Sequence, residues 1–463
     1  MAATQKIQKV QPLLVRLEKN KNDYFPQAVS FGPYHHGEPE LAFFEALKPK
    51  AVELFISGGP EGYDESFYHK KIVGIIGEIR DCYDETTIGN DELAAMMLRD
   101  ASLMIIFMEM YIDGNAEQPD ETTMDKIRGI VDLFGILPMT ILWRDLFLLQ
   151  NQIPLVVVEV LMDLRCGEGE GEYQNLLNRF LNMSIFGEYS KKRKLSRKPQ
   201  HLLEAVHMLL VFDFKDESGD APTCCKLPKV KKADLENGGA ETKTTHSHGI
   251  IHRLLNSWAC KNQGAANKSK FKNIKNMFHS FRSVTELKAK GIHFKPSPTQ
   301  SLMDVNFKSN FFYATLQLPV WVVSTDDKVI LMNLIAYELS PNSRANGEVA
   351  SYISFMKALM ERPEDVKELR EKRIFISTLG SDQEVFNIFK DINTHGFFNP
   401  MIFGAVEDKI QAHYNSNIKT WMAELIHNNF RSPWTVAAFF AAVAYLAISV
   451  GQLYYAMYPP TQD

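Results

Sequence analysis

An uncharged stretch of 25 residues, 434–458, constrains this sequence more than any other feature. It reads WTVAAFFAAVAYLAISVGQLYYAMY. As an α-helix it would be about 37 Å long, which exceeds the roughly 30 Å hydrocarbon core of a bilayer. Trp434 at one end and Tyr454, Tyr455 and Tyr458 at the other are typical of side chains at the two membrane interfaces. A buried core helix is the alternative, but length, missing charges and flanking aromatics favour a transmembrane helix.

The charges that flank this stretch predict its orientation. Lys419 and Arg431 precede it, and Asp463 follows it. Positively charged residues stay on the cytosolic side, so we expect the large N-terminal part to be cytosolic. The N-terminal sequence MAATQKIQKVQPLLVRLEKN has no apolar run of the kind that forms a cleavable signal peptide. Since little sequence follows Tyr458, we expect a tail-anchored, single-pass protein in the plasma membrane or an endomembrane.

The composition of the whole chain excludes several classes of protein. Of 463 residues, 51 are Lys or Arg and 56 are Asp or Glu, for a net charge of −5. No global field therefore favours nucleic acid as a partner. The five cysteines lack the paired spacing of a zinc site or a disulfide framework. We expect neither a metal nor a cofactor.

Apolar periodicity predicts one mainly helical body over residues 12–430. The segment ELAFFEALKPKAVELFI has apolar residues at three- and four-residue spacing. We predict a core helix over 96–112, because Arg99, Asp100 and Glu109 exclude a second membrane span there. Residues 214–250 are polar and rich in turn residues, which predicts a disordered insertion or a long surface loop.

The stretch WRDLFLLQNQIPLVVVEVLMDL, 143–164, combines two apolar runs with a polar interruption. Gln150, Asn151 and Gln152 are followed by Pro154, and proline is tolerated in the first turn of a helix. We predict two buried helices that are broken at these amides, whose side chains can satisfy the free backbone groups. The three valines that follow leave a strand as the alternative.

A β-hairpin is predicted near 301–323. Val305 and Phe307 precede a Lys-Ser-Asn turn, and apolar residues then alternate with polar ones from Phe312 to Leu318. Further helices are predicted to open at Pro363 and at Ser381, which begins a capping-box sequence. The predicted fold class is therefore mainly α with a small antiparallel β element, plus one C-terminal transmembrane helix.

The octet SFGPYHHG, 30–37, is the first candidate site because two histidines are adjacent in it. A metal site needs more convergent ligands than this pair offers. Gly32 and Gly37 permit positive φ and Pro33 fixes φ, which predicts a rigid turn. Tyr34 and the imidazoles can donate hydrogen bonds to loop carbonyls. We favour a scaffold and keep a catalytic role as the alternative, and we predict that this loop packs against the amides at 150–152. The residues of these two structural motifs are Gly32, Pro33, Tyr34, His35, His36, Gly37, Asn151, Gln152 and Pro154.

Three weaker signals complete the candidates. His246, His248 and His252 lack the spacing of a helical metal site, so a solvated loop is favoured. The basic run KKRKLSRK, 191–198, is read as a solvated loop, with a nuclear signal or an anionic-lipid patch as alternatives. Pairs of small residues four apart let membrane helices approach closely, so a homodimer is as well supported as a plain Ala-rich span. These small residues include Ala437, Ala441, Ala447 and Gly451.

Five sequence blocks, taken in order, resemble the plant family called domain of unknown function 247. They are YFPQAVSFGPYHHG, WRDLFLLQNQIP, FRSVTELKAKGIHFK with SLMDVNFKSNFF, LMNLIAYE, and SPWTVAAFFAAVAYLAISVGQ. The resemblance covers most of the chain from about Val15. It implies a mainly helical plant protein with one C-terminal membrane segment and no established enzymatic activity. Some members are linked to self-incompatibility in grasses, which implies recognition.

One position departs from the family pattern. The usual Glu-Asn-Gln is Gln150-Asn151-Gln152 here, and an amide cannot act as a general acid or base near neutral pH.

The sequence therefore favours a membrane-anchored, non-enzymatic recognition or signalling protein whose partners are the bilayer and other proteins. The alternative is a membrane-bound hydrolase or transferase in which His35 or His36 is the base. It requires both histidines to line one deep pocket. A third hypothesis places the basic run 191–198 on an anionic membrane.

Overall fold

The computed structural model describes residues 6–17, 21–84, 86–115, 121–166, 171–186, 195–211, 282–310, 313–341, 343–416 and 433–457. The protein is mainly helical, as predicted. The helices before the 214–250 segment are α1 Pro12–Leu17, α2 Ala42–Ser57, α3 Glu65–Gly74, α4 Ile76–Asp81, α5 Asn90–Gly114, α6 Glu121–Phe134, α7 Ile136–Asp145, α8 Leu155–Cys166, α9 Glu172–Phe186 and α10 Leu202–Leu210. The 214–250 segment and the histidines His246, His248 and His252 lie outside the described residues.

Helix α5 is the centre of the N-terminal helical layer. It packs against α2, α3, α6, α8 and α9. Its apolar residues are buried on several sides, from Leu93 to Ile112. The core helix predicted over 96–112 is confirmed, and Asp100 is completely buried within it.

The polar interruption at 150–152 separates two helices, as predicted. Helix α7 ends at Asp145 and α8 begins at Leu155, directly after Pro154. The strand alternative for the valine run is wrong, because Val157 and Val158 are buried helical residues of α8. All three amides at the break are buried.

A three-stranded sheet follows the short helix α11, Val284–Ala289. Strands β2, Asn306–Ser309, and β3, Ala314–Leu318, form the predicted antiparallel hairpin, although Lys308 and Ser309, which were predicted for its turn, belong to β2. Strand β1, Ile292–Pro296, adds to the other edge of β3 in parallel. The sheet is therefore mixed and larger than the purely antiparallel element that the sequence predicted. Phe312, which was predicted for the hairpin, lies outside the described residues.

A second, two-stranded parallel sheet joins β4, Trp321–Val323, to β5, Phe375–Ser377. The remaining body helices are α12 Asp327–Glu338, α13 Glu348–Leu359, α14 Pro363–Glu371, α15 Asp382–Asp391 and α16 Pro400–Tyr414. The predicted openings at Pro363 and Ser381 are both confirmed. The Ser381 side chain accepts a hydrogen bond from the Glu384 N–H, which satisfies a free donor in the first turn of α15.

Helix α17, Pro433–Met457, is long and apolar enough to cross a membrane. No residue of its central window, Ala437–Tyr454, is buried. An exposed apolar helix of this length differs from the core helix that the sequence left as the alternative. Of the predicted interface residues, Tyr454 is exposed, whereas Tyr458 and the side chains of Trp434 and Tyr455 lie outside the described part.

Candidate functional site

The segment 27–32 is held by buried side chains from other parts of the chain. At its start, Oδ2 of Asp145 accepts the backbone N–H groups of Gln27, Ala28 and Val29 at 2.9, 2.7 and 3.1 Å. Asp145 is the last residue of α7, and its other oxygen accepts a bond from Arg144 at 2.8 Å. One carboxylate therefore accepts three consecutive backbone N–H groups, which lie outside any helix or strand and need a partner when buried.

The amides at 150–152 hold the middle of the same segment. Asn151 accepts the Phe31 N–H at 2.7 Å and donates to the Val29 carbonyl at 3.0 Å. Gln152 donates to the carbonyls of Leu146 and Leu148, in the turn that follows α7. The prediction that the octet packs against this break is confirmed, as is the prediction that the amides satisfy backbone groups there.

Gly32 lies where the octet crosses the break most closely. Its φ is +75°, and a Cβ atom built on it would lie 2.7 Å from the Gln152 carbonyl oxygen and 2.8 Å from the Tyr83 hydroxyl. Both distances are shorter than any normal carbon–oxygen contact. Glycine is therefore required here by space as well as by backbone conformation.

A buried ion cluster lies beneath the octet. The Nζ atom of Lys48, from α2, is 2.6 Å from Oδ1 of Asp100 on α5, and it donates to the Ser30 carbonyl at 2.7 Å. Oδ2 of Asp100 accepts the Gly32 N–H at 2.7 Å. Glu45 pairs with Lys48 and accepts the Ser30 hydroxyl. Burial raises the pKa of Asp100, and the Lys48 charge opposes this rise.

The two histidines of the octet point to different partners. His35 is buried, its Nδ1 is 2.7 Å from Glu38, and its ring packs edge-on against Phe25. Its Nε2 atom is buried without a described hydrogen-bond partner. His36 is about one-third exposed and its Nδ1 lies 3.8 Å from Glu45. The expected bonds from imidazoles to loop carbonyls are replaced by contacts with carboxylates, whereas Tyr34 does donate to a carbonyl, that of Ile7.

A small cavity of about 110 Å³ opens beside the ion cluster. Side chains of both signs line it, so it presents no uniform charge to a ligand. Its lining residues are His36, Glu45, Lys48, Glu92, Ala95, Met96, Arg99 and Asp100. His35 is not among them, so this cavity does not hold both histidines, as the hydrolase or transferase alternative requires of one pocket.

Ser30 and Lys48 have the spacing of a catalytic serine–lysine pair but not its electrostatics. The Ser30 Oγ lies 3.2 Å from the Lys48 Nζ. A lysine that activates a serine must accept its proton. Lys48 instead forms ion pairs with Asp100 and Glu45 and donates to the Ser30 carbonyl. The arrangement therefore fixes the loop.

His207, Glu338 and Glu348 are the residues that could hold a metal ion. Within the described part of the chain, their ligand atoms lie within 4.8 Å of one another. Their types suit Zn²⁺. However, Glu338 already accepts His207 at 2.8 Å and the N–H groups of Val349 and Ala350 at 2.7 and 3.0 Å. Its hydrogen bonds are complete without an ion, so capping of α13 explains the group.

Sequence reasoning missed the ion cluster and the role of Asp145. Asp100 is a carboxylate inside an apolar helix, which was a signal of buried charge. Burial of a charge requires a partner, but nothing in the sequence indicates which of the many charged residues it is.

The fold and the site together define a class of protein. It is a mainly helical chain with an N-terminal loop fixed by buried side chains and one apolar C-terminal helix that could cross a membrane. Residues 7–448 match the plant family domain of unknown function 247, described as "Plant protein of unknown function", and the chain belongs to this family. The resemblance of the five sequence blocks is thereby confirmed.

Two Arabidopsis thaliana proteins are similar over most of their lengths. UPF0481 protein At3g47200 is 26% identical over 429 residues, which cover 90% of this chain and 79% of the relative. Putative UPF0481 protein At3g02645 is 23% identical over 484 residues, which cover 94% and 87%. No solved structure matches the chain.

Proposed function

We propose that the protein is a single-pass membrane protein whose helical body acts in recognition or signalling and not in catalysis. The exposed apolar helix α17 is the observation that carries this proposal. The body is oriented toward the cytosol, in accordance with the flanking charges. Recognition of the kind implied by family members linked to self-incompatibility is the biological setting that we favour.

The geometry of the octet supports a role without catalysis. The backbone of 27–32 is bonded on nearly every residue by side chains of α2, α5, α7 and the 146–154 loop. Ser30, the hydroxyl of this segment, donates to Glu45, which also pairs with Lys48, so both side chains are used in fixing the loop. Because Val29 to Gly32 are buried, this segment fixes the body that would present other surfaces to a partner.

The first experiment tests the anchor by alkaline carbonate extraction of membranes that contain the full chain. Replacement of Ala444 and Ile448 by arginine places two charges near the centre of α17, each of which costs about 3 kcal/mol of insertion. Replacement of both by leucine is the matched control. We expect the wild type and the leucine variant to resist extraction and the arginine variant to be released. Extraction of the wild type would contradict the anchor.

The second experiment tests recognition by proximity labelling from the full chain in native membranes. We expect a reproducible set of labelled proteins that the arginine variant loses. Efficient turnover of a metabolite by the purified chain, without any partner, would contradict the non-enzymatic role. A homodimer through α17 belongs to the same proposal, with close approach at Ala437, Ala441, Ala447 and Gly451.

A further inference from the structure

The three-stranded sheet buries one face and exposes the other. Ile292, Phe294, Leu316 and Phe307 are buried on the inner face. On the outer face, the strand register aligns side chains into two rows that run across the sheet. They are His293, Thr315 and Lys308 in one row and Lys295, Gln317 and Asn306 in the other. We call these six residues the basic sheet face.

Two of the six side chains on this face are lysines and none is acidic, although Asp304 accepts a hydrogen bond from Asn306 at its margin. Lys295 and Lys308 are exposed, as is Lys372 nearby, and within the described residues none of the three forms an ion pair. Lys288 adds a further charge at the margin, although it is paired with Glu368. Burial and the charges of Lys372, Lys295 and Lys288 lower the pKa of His293.

An exposed aromatic ring borders the face. Tyr313, directly before β3, is 44% exposed, and its ring lies edge-on against His293 with 5.9 Å between centroids. Tyrosine combines an apolar ring with a polar hydroxyl, which suits the headgroup level of a membrane.

The body's last described helix ends at the edge of this face. In α16, His413 lies 2.9 Å from the Ser309 hydroxyl, and its other nitrogen lies 3.2 Å from the Lys290 carbonyl. Ser309 directly follows Lys308 in β2. Lys290 and Arg282 both lie over the ring of Tyr414, at the end of α16. The last described residues before α17 therefore lie beside the basic sheet face.

Only residues 415–432 separate the end of α16 from the start of α17. A connection of this length reaches at most about 65 Å when fully extended. If α17 spans a membrane, the edge of the basic sheet face lies within that reach of the membrane. Anionic lipids attract basic groups that come within about a Debye length, roughly 8–10 Å.

We propose that the basic sheet face lies against the anionic headgroups of the membrane that α17 spans. This inference rests on the proposed anchor and adds a second contact between body and bilayer. Lys295 and Lys308 supply the charge, and Tyr313 supplies an interfacial ring. The contact fixes which side of the body faces the membrane and leaves the opposite surfaces free for protein partners.

The test uses the full chain in vesicles with the body outside. Lysines are modified with a membrane-impermeant amine reagent, and the rate at each position is read by peptide mass spectrometry. In vesicles of phosphatidylcholine and phosphatidylserine, we expect Lys295, Lys308 and Lys372 to react several-fold more slowly than in phosphatidylcholine alone. Lys50, exposed on α2, should react equally in both. High salt should remove the protection.

Charge-reversal variants separate this surface from a general effect of net charge. In the variant with Lys295→Glu and Lys308→Glu, we expect Lys372 to lose its protection. The matched control carries Lys50→Glu and Lys70→Glu, two exposed lysines on α2 and α3, and should keep it.

Vesicle flotation is measured in every sample. A chain that does not float overturns the anchor and this proposal together. A chain that floats but reacts at equal rates in both lipid mixtures overturns this proposal alone. Protection that needs added acidic protein and not anionic lipid also overturns it and assigns the face to a protein partner.

Discussion

At the scale of single residues, the octet is explained by what its backbone contacts and not by its histidines. Gly32 approaches the Gln152 carbonyl so closely that no side chain fits, and Asp100 accepts its N–H. The two histidines lie at the border of this contact, and each is beside a different carboxylate, His35 beside Glu38 and His36 beside Glu45. The residues that define the loop are therefore its glycine and the buried polar groups beneath it.

Gly32→Ala should be markedly destabilising. The new methyl would overlap two oxygen atoms, and positive φ adds strain of its own, so we expect a loss of roughly 2–4 kcal/mol. Gly37→Ala is the matched control, because Gly37 also has positive φ, +81°, but no atom lies within 4 Å of its Cβ position. That variant should lose only about 1 kcal/mol. Thermal unfolding in detergent measures both, and equal losses would contradict the close-approach argument.

Lys48→Met alone should lower the free energy of unfolding more than the double variant that carries both Lys48→Met and Asp100→Asn. Removal of the ammonium alone leaves Asp100 charged and completely buried, which costs about 3–5 kcal/mol. Asparagine in place of Asp100 still offers an oxygen to the Gly32 N–H without the buried charge. Unfolding free energies of the three chains test this, and a double variant less stable than the single one would contradict the ion-pair interpretation.

At the scale of elements, the predicted features are the local ones. Periodicity is set within one helix, so α5 and the break between α7 and α8 could be predicted, and a serine cap acts within three residues. Strand β1 pairs with β3, which is more than fifteen residues further along the chain. Lys48 on α2 forms its ion pair with Asp100 on α5. Such partners are selected by tertiary packing among many equivalent sequence candidates, so the sequence alone does not identify them.

The N-terminus of α13 shows the same limit and gives a prediction. Gly347 provides no capping side chain, and Glu338 from α12 accepts the free N–H groups instead. Glu338→Gln turns one acceptor into a donor that faces these N–H groups or His207, so we expect a loss of roughly 1–3 kcal/mol.

Glu348→Gln is the control for this element. Glu348 accepts bonds from Asn346, which is exposed, so its loss should be within about 0.5 kcal/mol. Chemical denaturation of both variants measures the two losses in free energy of unfolding. A larger loss at Glu348 than at Glu338 would show that the group serves something other than the cap.

At the scale of the whole molecule, buried acids make stability depend on pH. Burial raises the pKa of Asp145 to about 6 and that of Asp327 to about 7. A carboxyl group whose pKa is raised in the folded state binds its proton more tightly there. Its contribution to the stability of the fold is therefore complete below about pH 4 and is lost as pH rises to about 7. Burial lowers the pKa of His201 to about 4, which acts in the opposite direction over the same range.

Asp327→Asn isolates one of these contributions. The asparagine does not titrate. The free energy of unfolding of the variant, relative to that of the wild type, should therefore rise by about 2–4 kcal/mol as pH rises from 4 to 7.5. A change in hydrogen bonding to Ser324 alters the free energy of unfolding by the same amount at every pH, so the trend with pH stays the same. Unfolding free energies across the range provide the measurement, and a stability difference that stays constant with pH would contradict the raised pKa.

The central claim is that α17 spans a membrane and holds the body on its cytosolic face. Protease protection of the full chain in sealed microsomes tests both parts in one measurement. We predict that added protease digests the body without detergent and leaves a protected fragment that contains α17. Protection of the body itself, or complete digestion of α17, would contradict the account.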